Sequence, residues 1–347
     1  MTLAALFSRY VRQLCLKYET WAVIILFVVV YSYVFHTDRF RSVLRGAQRQ
    51  LSLGSENDVP DTTQTDVGVK PPSHWELRQE SVAVYAIQGK RPRMEDRYDV
   101  VHDEETGLSM FGIFDGHGGQ FAAEFTEKIL AQSVLARELE NAMNGANNNH
   151  SQILTEEILS TDEKLISVAK TSNDVAGTTC LFAILDEEQK QLIVANVGDS
   201  RGVLCDHTGK AVPLSYDHKP HQLRERKRIK KAGGFISYNG VWRVAGVLAT
   251  SRALGDYPLK DKKLLIANPD ILTFELDEVK PQFLILATDG LWDAFTNEEA
   301  VMFIKERLDE PHFGAKSLVL QAYYRGSPDN ITVMVVNFNH KKTKKMK

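Results

Sequence analysis

The stretch Met110-Phe111-Gly112-Ile113-Phe114, followed at once by Asp115-Gly116-His117-Gly118, sets the pattern for this chain. An apolar run of strand length ends on a carboxylate and a glycine-rich turn. Similar runs lie at 82–87, 110–114, 179–185, 192–197, 202–205, 271–276, 283–287 and 331–338, rich in Val, Ile and Phe and bounded by Gly, Asp or Asn. They predict strands. Between them Phe121, Ala122, Phe125, Ile129 and Leu130 recur at helical spacing, as do the apolar residues of 153–168 and 223–232, the last stopped by Gly233-Gly234. Asn297 predicts an N-cap for a helix over 298–308, and the Asn- and Gly-rich segment 141–150 predicts a surface loop. Strands in runs and helices in pairs, without strict alternation, predict an α+β fold with antiparallel sheets rather than a doubly wound parallel one.

The 347 residues, 43% hydrophobic and 25% charged, suffice for a substantial core. A formal net charge of −3 argues against nucleic-acid binding by bulk electrostatics. Cys15, Cys180 and Cys205 have no metal-ligand spacing and form no disulfide framework, which places the folded part in a reducing compartment. After a short segment, 1–19, residues 20–37 carry no acidic or basic side chain other than His36. They are dominated by the apolar run 21–30 and approach the roughly 20 residues that span a bilayer. Trp21 at one end and Tyr31 and Tyr33 at the other suit the two interfaces, and no small-x-small cleavage site follows. A retained transmembrane anchor is expected. Arg9, Arg12 and Lys17 precede it, whereas Arg39, Arg41, Arg45 and Arg49 follow, so the C-terminal side is expected to face the cytosol. The polar segment 38–74, with Pro60, Pro71 and Pro72, reads as a flexible linker. A folded domain over 75–339 and a basic tail over 340–347 complete the chain.

Four carboxylates stand where apolar strands begin or end: Asp115, Asp199, Asp289 and Asp329. One strand-end aspartate is usually a turn residue. Four are harder to dismiss, because carboxylates buried together need cations to neutralise them. With all-oxygen donors and no His/Cys cluster, the ion class is Mg²⁺ or Mn²⁺ rather than Zn²⁺. A cysteine-nucleophile phosphatase needs an Arg six residues after its Cys, where this chain has Trp21, Asp186 and Ala211. No Gly-Asn-His run of the His-rich metallophosphatases and no Gly-x-x-x-x-Gly-Lys phosphate loop occurs.

The run Gln88-Gly89-Lys90-Arg91-Pro92-Arg93-Met94-Glu95-Asp96 resembles the opening motif of the metal-dependent type 2C (PPM) protein phosphatases. In family order follow Phe114-Asp115-Gly116-His117-Gly118-Gly119, Ala176-Gly177-Thr178-Thr179, Ala195-Asn196-Val197-Gly198-Asp199-Ser200-Arg201 and Asp217-His218-Lys219-Pro220. Ser251-Arg252-Ala253-Leu254-Gly255-Asp256, Asp289-Gly290-Leu291-Trp292-Asp293 and Asp329-Asn330-Ile331-Thr332 complete the series. One such motif is weak evidence; eight in order over residues 82–339 are specific. The resemblance implies a β-sandwich of two antiparallel sheets flanked by antiparallel helix pairs (αββα). It also implies hydrolysis of phosphoserine and phosphothreonine by a water held between two metal ions.

By that likeness Asp115 bridges two Mg²⁺ or Mn²⁺ ions, with the Gly116 carbonyl, Asp289 and Asp329 completing the sites. Glu95 acts through a metal-held water and Asp96 supports the water network, while Asp199 and Asp293, with Asp289, match a weaker third metal. Arg91 matches a bidentate phosphate clamp, and Pro92 restricts its backbone. His117 matches a general acid for the leaving oxygen, although a histidine there could merely orient Asp115. The anchor, with Phe35-His36-Thr37-Asp38 after it and the run 308–316, resembles a membrane-bound member of the family. That likeness implies the endoplasmic reticulum, phosphoprotein substrates among stress-pathway kinases, and restraint of those cascades. Asn330-Ile331-Thr332 is also a glycosylation pattern, and a glycan within the site would be incompatible with function, again favouring a cytosolic domain.

Two basic segments have plainer readings. Residues 224–231 fit the exposed face of a helix, with substrate docking as a secondary use, and the five lysines of 341–347 fit a solvated tail, a di-lysine retrieval signal at Lys344 and Lys345, or headgroup contacts. Two rivals were weighed. A catalytically dead scaffold is disfavoured by the intact acidic set with Arg91 and His117; a di-metal nuclease is disfavoured by the negative charge and the lack of basic residues interleaved with aromatics.

Overall fold

The computed structural model describes residues 74–144 and 149–339. The anchor at 20–37, the linker before His74 and the tail from residue 340 lie outside them. Among the described residues no helix is long and apolar enough to cross a membrane.

The chain runs β1 (His74–Gln79), β2 (Val82–Ile87), β3 (Arg97–His102), β4 (Leu108–Phe114), β5 (Gly116–His117), α1 (Phe121–Met143) and α2 (His150–Ser172). It continues with β6 (Gly177–Thr178), β7 (Cys180–Asp186), β8 (Gln191–Val197), β9 (Arg201–Cys205), β10 (Ala211–Pro213), α3 (Leu223–Lys231), β11 (Ile236–Asn239) and β12 (Val241–Val244). Then come β13 (Leu254–Gly255), α4 (Tyr257–Lys260), β14 (Asp270–Glu275), α5 (Leu276–Val279) and β15 (Phe283–Ala287). α6 (Asp289–Trp292), α7 (Asn297–Lys305), α8 (Ala315–Tyr324) and β16 (Ile331–Asn337) close it.

Two sheets dominate, ordered β1-β2-β16-β15-β9-β10 and β14-β8-β7-β4-β3. Every neighbouring pair is antiparallel. Side-chain alternation divides each central strand between two cores. In β7, Leu181, Ala183 and Leu185 enter the core between the sheets, whereas Cys180, Phe182 and Ile184 meet α1 and α2. In β15, Leu284 and Leu286 face the other sheet, and Phe283, Ile285 and Ala287 face α6, α7 and α8. Burial on both faces explains why these runs are continuously apolar rather than alternating. The result is the four-layer αββα architecture, and the strand ends are what position the site.

Some local expectations change. Thr296, not Asn297, caps α7: its hydroxyl accepts from Glu299 N while the Glu299 carboxylate accepts from Thr296 N, a capping box. Asn297 is then free to accept from Arg201 Nη1 at 2.9 Å. The segment 141–150 is not all loop, because α1 reaches Met143 and α2 starts at His150, buried between Glu138 and Asp186. β1 and β3 escaped the apolar-run criterion because they lie at sheet edges and are largely half-buried or exposed. Cys180 and Cys205 are buried and unpaired.

Candidate active site

Sheet topology brings distant carboxylates to one end of the sandwich. Asp115 follows β4, Asp199 follows β8, Asp289 opens α6 directly after β15, Asp329 precedes β16, and Asp96 precedes β3. The Asp115 backbone is fixed by a hydrogen bond from its N–H to Thr179 Oγ1 (3.0 Å) and by its carbonyl accepting from Thr179 N (2.9 Å). Thr179 in turn meets Ser200 Oγ at 2.7 Å. Gly116 is required here, since a Cβ would overlap the Glu95 carbonyl oxygen. Burial, then repulsion from Asp96, Asp289, Asp199 and Asp329, pushes the Asp115 carboxyl well above the carboxylate range. Burial and Asp199 do the same to Asp289, although Lys219 opposes them; Asp293 and Asp329 add to the rise. Asp293 is raised more modestly, first by burial. The anticipated set Asp96, Asp115, Asp199, Asp289, Asp293 and Asp329 therefore shares one electrostatic neighbourhood.

Asp96 tests whether cations fit. Its Oδ2 accepts from Thr332 Oγ1 (2.7 Å) and Thr288 Oγ1 (3.1 Å), while its buried Oδ1 has no hydrogen-bond partner. Burial lifts its pKa to about 7 despite those hydroxyls. An orphaned carboxylate oxygen within an all-oxygen cluster is what a hard divalent ion satisfies, so the residues fit Mg²⁺ or Mn²⁺. Among the described residues no three His, Cys, Asp or Glu side chains are gathered into a ligand shell as they stand. Two cations of the chain engage the carboxylates. Lys219 Nζ lies 2.5 Å from Asp199 Oδ2 and 3.7 Å from Asp289 Oδ2, and Arg91 Nη2 lies 2.5 Å from Asp329 Oδ2. The Arg91 side chain remains 55% exposed.

His117 Nε2 meets Asp256 Oδ2 at 2.7 Å. Burial would lower the His117 pKa, but the bond and charge of Asp256 outweigh it and raise the imidazole above its ordinary value. The contact needs Gly177, where a Cβ would overlap both Asp256 Oδ2 and His117 Nε2. Along the chain Gly177 and Asp256 carry no signal of this role; the β5–β6–β13 pairing unites them with His117. Asn330 carries a positioning role that its place in the motif does not announce. Its Oδ1 accepts from Glu95 N (2.8 Å), and its Nδ2 donates to the Gln88 (2.7 Å) and Arg93 (2.9 Å) carbonyls, pinning the loop that carries Arg91 and Glu95 to β16. With these bonds and 5% exposure, Asn330 is sterically poor as a glycan acceptor.

The basic residues of 224–231 lie on the exposed face of α3 as expected, except Arg228. Arg228 turns inward to Glu225 Oε2 (3.0 Å) and the Ser251 carbonyl (2.7 Å), because buried Glu225 demands cationic partners.

The family model for protein phosphatase 2C matches residues 81–331. The chain is 51% identical to Protein phosphatase 1L of Bos taurus over 352 aligned residues, covering 98% of this chain and 97% of that protein. It is 44% identical to Probable protein phosphatase 2C 69 of Arabidopsis thaliana over 264 residues, covering 74% and 69%. Among solved structures, a serine-threonine phosphatase 2C from Toxoplasma gondii superposes with a TM-score of 0.68 at 25% identity, covering 78% of this chain and 99% of that one. A C. elegans sex determining protein, at 23% identity and a TM-score of 0.69 over 78% of this chain and 68% of that one, shares the fold. With the carboxylate cluster at the sandwich end, these likenesses establish that the chain belongs to the protein phosphatase 2C family of metal-dependent enzymes and is a protein serine/threonine phosphatase.

Proposed function

We propose that this phosphatase works with two Mg²⁺ or Mn²⁺ ions held by Asp115, the Gly116 carbonyl, Asp289 and Asp329, and that Glu95 and Asp96 order water beside them. Asp199 and Asp293 would hold a third, weaker ion. The observation that carries this reading is the convergence of mutually repelling carboxylates from separate strand ends, with the buried Asp96 Oδ1 unpartnered among them. Bound there, such ions would neutralise the phosphoryl charge and acidify a water near phosphorus.

The chain's own groups supply the rest. Arg91, exposed beside Asp329, receives phosphoryl oxygens through its guanidinium fork. Water adds to phosphorus, the phosphorus–oxygen bond to the serine or threonine breaks, and His117 gives a proton to the departing oxygen. Asp256 holds Nε2, which leaves Nδ1 as the donor. Asn330 fixes the Arg91–Glu95 loop before substrate arrives. Hydrolysis of a serine phosphopeptide, with and without Mn²⁺, compares the wild type with Asp289→Asn. The mechanism requires metal-dependent turnover that the substitution removes; metal-independent turnover or an unaffected variant refutes it.

The cellular reading extends this. Residues 20–37 form a single-pass anchor in the endoplasmic reticulum, the residues before His74 a linker, the domain from β1 to residue 339 the phosphatase facing the cytosol, and 340–347 a basic tail. The substrates are phosphoproteins of stress-activated kinase cascades, which the enzyme restrains. The full-length similarity to Protein phosphatase 1L, extending beyond the family domain, supports this assignment. Protease treatment of intact microsomes should digest the catalytic domain; a protected domain would reverse the orientation.

A further inference from the structure

One segment departs from the acidic balance of the chain. Between residues 218 and 255 stand nine lysines and arginines and a single carboxylate, Glu225, although the whole chain has a formal charge of −3. Glu225 is buried and its charge is met by Arg228 and Arg252, while Arg224 and Arg252 also hold Asp270. Arg226, Lys227, Lys230 and Lys231 stay on the exposed side of α3, and among the described residues none of their side chains forms an ion pair or hydrogen bond. The same segment gathers apolar surface. Of the thirteen large hydrophobic residues exposed among the described residues, seven lie between 216 and 247, including Leu223, Phe235, Tyr238, Val241, Trp242 and Val247. α3 and the β11–β12 hairpin pack on one small core of Ile229, Val244 and Leu264. The His221 ring lies 6.4 Å from that of Trp242, which meets Tyr238 at 5.2 Å, so helix and hairpin share one outer surface. The hairpin turns at Asn239-Gly240, where a Cβ on Gly240 would meet nothing within 4 Å, so the apolar residues beside it stand on a protruding tip rather than in a groove.

We propose that this surface docks on an anionic lipid bilayer, with Tyr238, Val241 and Trp242 entering the headgroup region and the free cations of α3 meeting acidic headgroups. Apolar side chains clustered on an exposed surface mark a contact. Trp and Tyr suit a membrane interface because each ring joins an apolar body to a polar edge. Each lysine or arginine near an acidic membrane surface strengthens binding by roughly fivefold. An acidic peptide would engage the cations, but it seats apolar groups in a groove, which a protruding tip does not offer. A nucleic acid would leave Leu223, Val241 and Val247 in water, because phosphate contacts have no use for aliphatic side chains. A bilayer satisfies both sets at once. The contact belongs to the described domain and does not depend on the span expected at 20–37.

The test follows the Trp242 ring in the full-length chain, reconstituted into vesicles whose acyl chains carry bromine, a contact quencher. Subtracting the emission of Trp242→Phe from that of the wild type isolates Trp242 from Trp21, Trp75 and Trp292. Vesicles of phosphatidylcholine alone are compared with vesicles holding about 30% phosphatidylserine. In the latter, Trp242 should be quenched and its emission shifted to the blue. Both changes should be lost at about 1 M NaCl, where charges are screened within about 3 Å. They should also be lost in a chain with Arg226, Lys227, Lys230 and Lys231 changed to Gln. Equal quenching in neutral vesicles or in the glutamine chain, or no quenching in either vesicle, overturns the proposal. A blue shift on adding soluble polyglutamate or RNA to the chain in detergent, without quenching by phosphatidylserine vesicles, assigns the surface to an acidic chain and overturns it as well. If the glutamine chain unfolds, the lipid and salt comparisons decide without it. Phosphatase activity is not the readout, so the result is independent of the catalytic reading.

Discussion

Two charged clusters of this domain solve the same problem in opposite ways. Around Glu225, charges close on themselves. Arg252 donates to Glu225 Oε1 (2.7 Å) and Asp270 Oδ1 (2.8 Å), Arg228 takes Glu225 Oε2, and His218 Nε2 stands 3.3 Å from Asp270 Oδ2, close enough for an ion pair though not aimed as a hydrogen bond. Burial alone would raise the Glu225 pKa, but the two arginines bring it below the usual carboxylate range. At the sandwich end the carboxylates outnumber Arg91 and Lys219, and Asp115 and Asp289 are driven upward instead. A network that balances its own charge is structural; one left with excess negative charge is built for cations from outside.

The comparison can be broken most decisively at Asp115. Asp115→Asn should lower turnover of a phosphoserine peptide at least about a thousandfold. Without divalent ions, the same variant should melt above the wild type, because a repelling charge is gone. Lower melting in chelator would mean the carboxylates are not in excess. Glu225→Gln should instead cost about 3–5 kcal/mol of folding stability, by removing the buried charge that Arg252 and Arg228 share. Urea unfolding should show that loss equally with and without Mn²⁺, and a loss abolished by Mn²⁺ would erase the distinction between the clusters.

Asp256→Asn probes the partner of His117. It should reduce turnover of alkyl phosphates about tenfold to a hundredfold and of activated aryl phosphates far less, because only the former need a proton from His117. Equal losses would make Asp256 structural.

The smallest effect sharpens the comparison at a third site, His150, held by Glu138 Oε1 (2.8 Å) and Asp186 Oδ2 (3.0 Å). Burial lowers its pKa, but the two carboxylates outweigh that and raise it. A raised folded pKa means its stabilisation is complete below the unfolded value near 6.5 and fades as pH rises through the folded value. The denaturation midpoint should fall over that window in the wild type and lack this component in His150→Gln. An unchanged profile would remove His150 from the self-balancing class.

Much of the site was legible because strand ends are legible. Asp115, Asp289 and Asp329 flank runs whose apolar character follows from burial on both faces, so pattern and position agree. Gly177 and Asp256 were not, because β6 and β13 are two-residue strands with no period to detect. Lys219 and Arg228 looked like ordinary surface cations until the fold placed carboxylates before them.

The order of motifs, the apolar runs and the oxygen-only donor set were determined by the sequence itself, since each depends on neighbours along the chain. Sheet pairing decided the rest. It joined His117 to Asp256, pinned Glu95 to Asn330, and left one carboxylate cluster balanced and the other in need of cations. Charge balance is a sum over groups distant in sequence, and only the closed fold performs that sum.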